Sequence, residues 1–290
     1  MRHLKFIAAA LLVLGCTPKE EITCYTDYVD PKIGSGGHGH VFVGANVPFG
    51  MVQLGPTSIP QEWDWCSGYH DSDSTVIGFS HTHLSGTGIG DLFDITVMPV
   101  VGEVTYGRGR EEDPSTGMWS YADRSREVAR PGYYSVPLTR YGITAEMTAT
   151  NRVGLHRYTF PQSEEAGIVI NLMNGGCWDR PMDAHIERVD AKTGQPDPNG
   201  QALRGYRYSR GWAEDQKVYF YAEFSKPFKD LKVLKGDIQI WQDEFKNMSA
   251  FAHAYFDTAR DEQIMMKVAL SPVSMEGAYA NMKAEMPDWD

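Results

Sequence analysis

Histidine and tryptophan side chains crowd into one short part of this chain, between residues 36 and 88. Tryptophan offers a flat apolar face and histidine a hydrogen-bonding edge that titrates near neutral pH, so such crowding indicates a binding surface for a polar ligand. The residues fall in three runs, Gly36-Gly37-His38-Gly39-His40, Trp63-Asp64-Trp65-Cys66-Ser67-Gly68-Tyr69-His70 and His81-Thr82-His83-Leu84-Ser85-Gly86-Thr87-Gly88.

Trp63 and Trp65 give the most specific signal in these runs. An indole beside Asp64 and His70 matches the way proteins hold a sugar ring, with the apolar C–H face on the indole and the hydroxyls on polar edges. At alternate positions, the two tryptophans would share one face of a strand. The alternative that either tryptophan belongs to the core stays open.

A metal site is a competing interpretation of the histidines. The spacing of His38 with His40, and of His81 with His83, would place two imidazoles on one face of a strand, where zinc could bind with help from a nearby cysteine. The sequence shows no carboxylate placed to orient these histidines. We therefore expect the histidines to bind sugar hydroxyls or loop backbone, and we assign no metal ligand.

No nucleophile is evident either. Cys66 lies near histidines in the sequence, but neither it nor a nearby serine occurs in a recognisable motif with a third, orienting group. We assign no catalytic residue to this chain.

Charge and cysteine content limit the partners. The chain has 27 Lys and Arg against 38 Asp and Glu, a formal net charge of −11 at pH 7. Nucleic acid is not an expected partner, because neutralising phosphates needs clustered basic side chains. Of the four cysteines, three lie beyond Cys16, so at most one disulfide can form among them, and we expect Cys66 to take no part in it.

The first residues have the layout of an export signal. A charged start precedes an apolar run over residues 6–14, closed by Gly15, and that run is too short to span a membrane. Cys16 follows Val13-Leu14-Gly15, the pattern of a bacterial lipobox. We expect residues 1–15 to be a lipoprotein signal peptide, Cys16 to be lipidated, and residues 16–26 to be a tether. The protein would then be an outer membrane lipoprotein facing the cell surface or the periplasm; an ordinary signal peptide with an incidental cysteine is the alternative.

The elements that must position the candidate ligand-binding side chains are predicted to be strands. Apolar and polar residues alternate from Ile143 to Ala149, which indicates a half-buried strand. Residues 231–241 contain a hairpin signal, and residues 190–201 have the composition of a loop. Many short strands with Gly and Pro between them predict an all-β antiparallel β-sandwich over residues 27–272. Further candidate strands are 95–106, 155–160, 168–173, 218–224, 251–256 and 264–270.

The last segment differs, because it has helical periodicity. Met275, Tyr279, Met282 and Met286 are spaced four, three and four residues apart, after Ser274 as a suitable N-cap. An apolar helix face where the sandwich ends indicates a connection into a further domain. We expect residues 273–290 to begin a helical linker and the chain to be part of a longer protein.

Long, ordered motifs along the chain carry a resemblance to a known family. They include Cys66-Ser67-Gly68-Tyr69-His70 and Gly78-Phe79-Ser80-His81-Thr82-His83-Leu84-Ser85-Gly86-Thr87-Gly88. With these motifs the chain resembles glycoside hydrolase family 92, whose members are calcium-dependent exo-acting α-mannosidases. The other matching segments are 29–31, 33–34, 36–40, 47–54, 131–136, 211–213 and 274–278.

The resemblance implies an N-terminal, supersandwich-like β-sandwich, a helical linker and an (α/α)6 barrel that carries the catalytic carboxyl groups and most of the calcium site. Those positions lie outside this chain, so we expect this chain alone not to cleave mannosides. The implied reaction is inverting hydrolysis by two carboxyl groups about 6.5–9.5 Å apart. Ca²⁺ would be bound mainly by the absent catalytic domain.

The resemblance also implies that the sandwich forms one wall of the sugar-binding pocket. Its residues would recognise a mannose-containing glycan, and the second tryptophan fits enzymes for α-1,2-linked mannose of N-glycans or mannans. Two other functions stay open, a non-catalytic surface glycan-binding lipoprotein and a metal-dependent enzyme built on the histidine pairs. The expected substrate-binding residues are Trp63, Trp65, Cys66, His70, His81 and His83.

Overall fold

Two antiparallel sheets form the body of the molecule in a computed structural model, which describes residues 24–113, 115–173, 175–176, 179–235 and 250–289. Apolar residues of both sheets meet in one buried core between them. The all-β antiparallel β-sandwich predicted from the sequence is confirmed.

Strands β1 to β17 are numbered in chain order, and the strands of each sheet follow one another in space as follows. The seven-stranded sheet contains β1 (Ala45–Asn46), β2 (Gln53–Thr57), β4 (Gly78–Ser80), β5 (Thr96–Val101), β11 (Ser163–Asn171), β16 (Ala250–Thr258) and β15 (Asp230–Lys235). The eight-stranded sheet contains β12 (Arg180–Val189), β13 (Ala202–Arg210), β14 (Gln216–Phe224), β17 (Glu262–Ser271), β10 (Val153–Phe160), β9 (Ile143–Ala149), β8 (Tyr133–Leu138) and β7 (Val128–Arg130). A small separate sheet pairs β3 (Thr75–Val76) with β6 (Ser120–Tyr121).

Side-chain alternation explains why these segments are strands. In β9, Ile143, Ala145 and Met147 are buried, while the residues between them are partly or fully exposed, as a half-buried strand requires. Every candidate strand of the sequence overlaps an observed one, and residues 190–201 form the predicted loop. The predicted strand over residues 95–106 is shorter in the structure, because Gly102, with a φ of 80°, follows β5 directly. Of the predicted hairpin, β15 is observed and residues 236–241 lie outside the described residues.

The predicted C-terminal helix is present as α1 (Met275–Glu285). The Ser274 hydroxyl oxygen accepts a hydrogen bond from the Gly277 N–H at 3.0 Å, which caps the first turn. Ala278 and Met282 are buried against Tyr221 and Ala269 on the outer face of the eight-stranded sheet. No helix among the described residues is both long and apolar enough to cross a bilayer.

Three local predictions are wrong. Trp63 and Trp65 lie in a 3-10 helix, Trp63–Trp65, and not on one face of a strand. A 3-10 helix has about three residues per turn, so residues two apart point in different directions. His38 and His40 likewise lie in a loop before β1 and not on a strand. His81 and His83 follow the end of β4 and are not on a strand either.

Candidate functional site

Trp63 is the most exposed of the predicted ligand-binding side chains, with 49% of its surface open to solvent. Its indole N–H donates to the Gly88 carbonyl at 2.8 Å. A β-carbon on Gly88 would lie 2.4 Å from the indole ring, so only glycine allows this contact. The ring is thereby held in place while one part of it faces solvent, which is the arrangement that stacking on a sugar requires.

His38 and His40 meet Asp64 beside this indole. The His38 Nδ1 lies 2.7 Å and the His40 Nε2 3.0 Å from the same Asp64 carboxylate oxygen, Oδ1. The His40 ring packs edge-on against Trp63, with 4.3 Å between ring centroids. The hydrogen bond from His38 is the main cause that lowers the pKa of Asp64 below its usual value.

The backbone of this loop is tightly folded. A β-carbon on Gly39 would lie 1.8 Å from the Gly34 carbonyl oxygen, so the turn between the two histidines requires glycine. His40 has a φ of 54°, and its carbonyl accepts hydrogen bonds from the Ser67 hydroxyl and the Gly86 N–H. The surrounding structure therefore fixes a backbone conformation that histidine adopts only rarely.

Trp65 and His70 point away from Trp63 and pack on each other. Their rings stack with centroids 4.4 Å apart. The Trp65 indole N–H donates to Asp73 at 2.7 Å, and the His70 Nε2 lies 3.2 Å from the Gly37 carbonyl oxygen. This pair connects the segment after the 3-10 helix to the glycine-rich loop that carries His38.

Cys66 follows the 3-10 helix directly and is fully buried. Its Sγ donates to the Thr87 carbonyl oxygen at 3.4 Å, which ties the 3-10 helix to the loop that contains Gly88.

His81 is fully buried in the core between the sheets. Its Nδ1 donates to the Ile95 carbonyl at 2.6 Å, and its Nε2 lies 3.0 Å from the Nε2 of His156. The His156 Nδ1 accepts from the Tyr158 hydroxyl at 2.7 Å. Both ring nitrogens of His81 are occupied, and burial lowers the pKa of His81 to about 4.

His83 is also buried, nearer to the surface loops. Its Nδ1 donates to the Gln53 carbonyl at 2.8 Å, and its ring lies between Phe42 and Phe93. Burial lowers the pKa of His83 to about 4.

The structure thus brings the predicted residues together in a layered order. Trp63 is at the surface, Cys66 supports it, and Trp65 with His70 anchors the neighbouring loop. His81 belongs to the core and presents no free ring edge. The sequence reasoning missed Asp64 as the partner of His38 and His40, although its place between two tryptophans marked it as part of the same run.

The described residues include one candidate metal-binding group of side chains. They contain one group of three or more His, Cys, Asp or Glu side chains close enough to share an ion, and that group is His38, His40 and Asp64. Two imidazole nitrogens and one carboxylate do not fit calcium, which takes six to eight oxygen ligands.

Comparison with known proteins identifies the family. Residues 28–271 match the family model described as the glycosyl hydrolase family 92 N-terminal domain. The chain belongs to glycosyl hydrolase family 92. The resemblance noted in the sequence is therefore confirmed, and the match covers most of the family 92 sandwich described above.

Solved and curated family 92 relatives agree with this assignment. An α-mannosidase of the family from Bacteroides thetaiotaomicron, solved in complex with mannoimidazole, is 36% identical with a TM-score of 0.79, over 89% of this chain and 34% of that chain. An inverting mannosidase of the family from the same species is 23% identical with a TM-score of 0.72, over 94% and 35% of the two chains, and shows the same fold. A protein of Arthroderma benhamiae, described as an uncharacterized secreted glycosidase, is 32% identical over 91% of this chain and 35% of its own length.

This chain spans about a third of the length of these relatives. It corresponds to the N-terminal domain of a family 92 glycosyl hydrolase. These matches do not favour the alternative of a non-catalytic glycan-binding lipoprotein.

Proposed function

We propose that this domain forms one wall of the sugar-binding pocket in a calcium-dependent, inverting exo-α-mannosidase that acts on α-1,2-linked mannose of N-glycans or mannans. Two observations support the proposal, the likeness to an α-mannosidase solved with mannoimidazole and the exposed, anchored indole of Trp63. The exposed indole is the main support for placing this domain in the pocket wall, because a half-exposed tryptophan whose N–H is hydrogen-bonded is preorganised for stacking on a sugar.

Within this wall, each group has a physical task. The Trp63 face would stack on the C–H face of the terminal mannose or its neighbour. Trp65, Cys66, His70 and His83 would hold the loops in position. His81 would stabilise the core beneath them.

We assign catalysis to the (α/α)6 barrel that the family resemblance implies. The two carboxyl groups of an inverting glycosidase, one as acid and one as base for water, would lie there. We also expect most of the calcium ligands there, as the resemblance to the family implies. No step of the reaction is assigned to this chain.

The test is kinetic, with the longer enzyme that contains this domain and α-linked mannobioses as substrates. Trp63→Ala should raise KM about tenfold, equivalent to about 1.4 kcal/mol of lost binding, and Trp63→Phe should restore most of it. Tyr121→Ala, which removes an exposed aromatic elsewhere, serves as the control. An unchanged kcat/KM in Trp63→Ala would show that Trp63 is not part of the pocket wall.

A second measurement separates this chain from the whole enzyme. The chain of residues 17–290 should release no mannose from any mannobiose, because the proposed acid and base lie elsewhere. Detectable release by this chain would refute the placement of catalysis in the barrel.

We also propose that the protein is an outer membrane lipoprotein, with the signal over residues 1–15 and lipid on Cys16, both outside the described residues. The secreted glycosidase of Arthroderma benhamiae supports a location outside the cytoplasm. Labelling with radioactive palmitate in a bacterial host tests the anchor. Cys16→Ser should abolish the label, and a labelled Cys16→Ser protein would contradict it.

A further inference from the structure

The loop before β1 and the 3-10 helix bring together three side chains that ligate transition metals. The Nδ1 of His38, the Nε2 of His40 and a carboxylate oxygen of Asp64 all lie within 4.8 Å of one another. Imidazole and carboxylate are the ligands that zinc and similar divalent ions take from proteins. This donor set differs in kind from the oxygen-rich set of calcium.

The two nitrogen–oxygen distances are close to those between ligands of one bound ion. Metal–ligand bonds of about 2.0–2.2 Å place tetrahedral ligand atoms roughly 3.3 Å apart. The two nitrogens now lie 2.7 and 3.0 Å from Asp64 Oδ1. An ion would replace the two hydrogen bonds, and the single proton of each neutral imidazole would then lie on the other ring nitrogen. All three donor atoms lie within 4.8 Å of one another, so the two nitrogens need only a local adjustment of the loop to share the ion.

The cluster is also fixed and accessible. His40 is buried, and hydrogen bonds to its carbonyl from the Ser67 hydroxyl and the Gly86 N–H hold its backbone. His38 has 78% of its side-chain surface exposed, so an ion can enter from solvent. Solvent can supply a fourth ligand on that side, as in sites with three protein ligands.

We propose that His38, His40 and Asp64 form a binding site for a divalent transition-metal ion of the zinc class. The site is separate from the calcium assigned to the barrel and does not depend on the proposed mannosidase activity. An ion there would crosslink the glycine-rich loop to the 3-10 helix that carries Trp63.

The test is zinc binding to the purified full chain without an affinity tag, in competition with a chromophoric zinc chelator. We expect one Zn²⁺ per chain, and no displacement of that ion by millimolar Ca²⁺. His38→Gln and Asp64→Asn should each weaken Zn²⁺ binding at least tenfold. His38 is largely exposed, so its replacement should leave the fold intact, which circular dichroism can confirm.

The matched control is His185→Gln, which removes a partly exposed histidine 3.6 Å from the Glu187 carboxylate in another part of the sandwich. Its zinc affinity should equal that of the unmodified chain. The proposal fails if the chain binds no stoichiometric Zn²⁺, or if His38→Gln and Asp64→Asn bind it as tightly as His185→Gln does.

Discussion

At the scale of single residues, the three side chains His81, His156 and Tyr158 form a hydrogen-bonded chain through the core. Tyr158 donates to the His156 Nδ1, which leaves the His156 Nε2–H to donate to the His81 Nε2, and the His81 Nδ1–H donates to the Ile95 carbonyl. This arrangement satisfies every polar atom with both rings neutral. A proton added to either ring would place a charge in a buried site, which is the main cause that lowers the pKa of both histidines.

Burial of these histidines predicts a loss of stability in mild acid. The pKa of His81 and that of His83 are about 4 in the folded protein and about 6.5 when unfolded. Between these values the unfolded state binds protons that the folded state excludes, so the free energy of unfolding falls as pH drops from about 6.5 to 4. Each histidine contributes on the order of 3 kcal/mol over that interval. Urea unfolding at pH 7.0 and pH 4.5 measures the change.

Histidine variants distinguish the effect of these histidines on stability from the effect of carboxylates that titrate in the same pH range. His83→Gln should unfold with a smaller difference between the two pH values than the unmodified chain, and His81→Gln should do the same if it folds. Equal differences in His83→Gln and in the unmodified chain would show that burial of this ring does not govern the acid response.

At the scale of elements, α1 is attached to the outer face of the eight-stranded sheet by a buried charge. Lys267, on β17, is fully buried; its Nζ lies 3.1 Å from a Glu223 carboxylate oxygen and donates to the Met286 carbonyl at 3.0 Å. The Trp289 ring lies over the same ammonium, 4.3 Å from its centroid. The end of the helix is therefore fixed relative to the sheet.

The N-cap of α1 gives a prediction for this element. Ser274→Ala removes the acceptor for the Gly277 N–H and should lower the free energy of unfolding by about 1 kcal/mol. Ser274→Asp should stay close to the unmodified chain, because aspartate also caps helices. Chemical denaturation compares the three proteins. Equal stability of the Ala and Asp variants would show that the cap contributes nothing.

At the scale of the whole molecule, Arg207 joins parts of the chain that are distant in sequence. It is fully buried on β13; its Nη1 donates to Asp94 at 2.6 Å and its Nη2 donates to Asp179. Its Nε donates to the Leu172 carbonyl at 3.1 Å. Asp94 lies just before β5 of the other sheet, so this guanidinium connects the two layers of the sandwich.

Removal of the Arg207 charge should greatly lower the free energy of unfolding. Arg207→Leu leaves two buried carboxylates without their partner and should lower the free energy of unfolding by about 3–5 kcal/mol. The control is Arg157→Gln, which breaks a partly exposed pair with Glu146 and should cost less than about 1 kcal/mol. Thermal or urea unfolding distinguishes them, and similar losses in both variants would contradict a special role for the buried pair.

The sequence by itself determined the class of fold. Alternation of apolar and polar residues, as in β9, and the capped periodicity of α1 are local properties that burial on one face imposes directly. The sequence motifs were also sufficient for the family, which the comparison confirmed. The three wrong predictions concern segments three residues long, where spacing alone cannot separate a strand from a tight turn.

The tertiary structure alone decided what each side chain of the site does. His81 and His83 have the same spacing as His38 and His40, yet the first pair is buried and the second lies beside Asp64. Cys66 and Trp63 are close in the chain, but Cys66 is buried and ties the 3-10 helix to the loop that contains Gly88, whereas Trp63 is half-exposed. The physical reason is that burial and contact depend on residues dozens of positions away, which packing of the two sheets brings together and which no local pattern records.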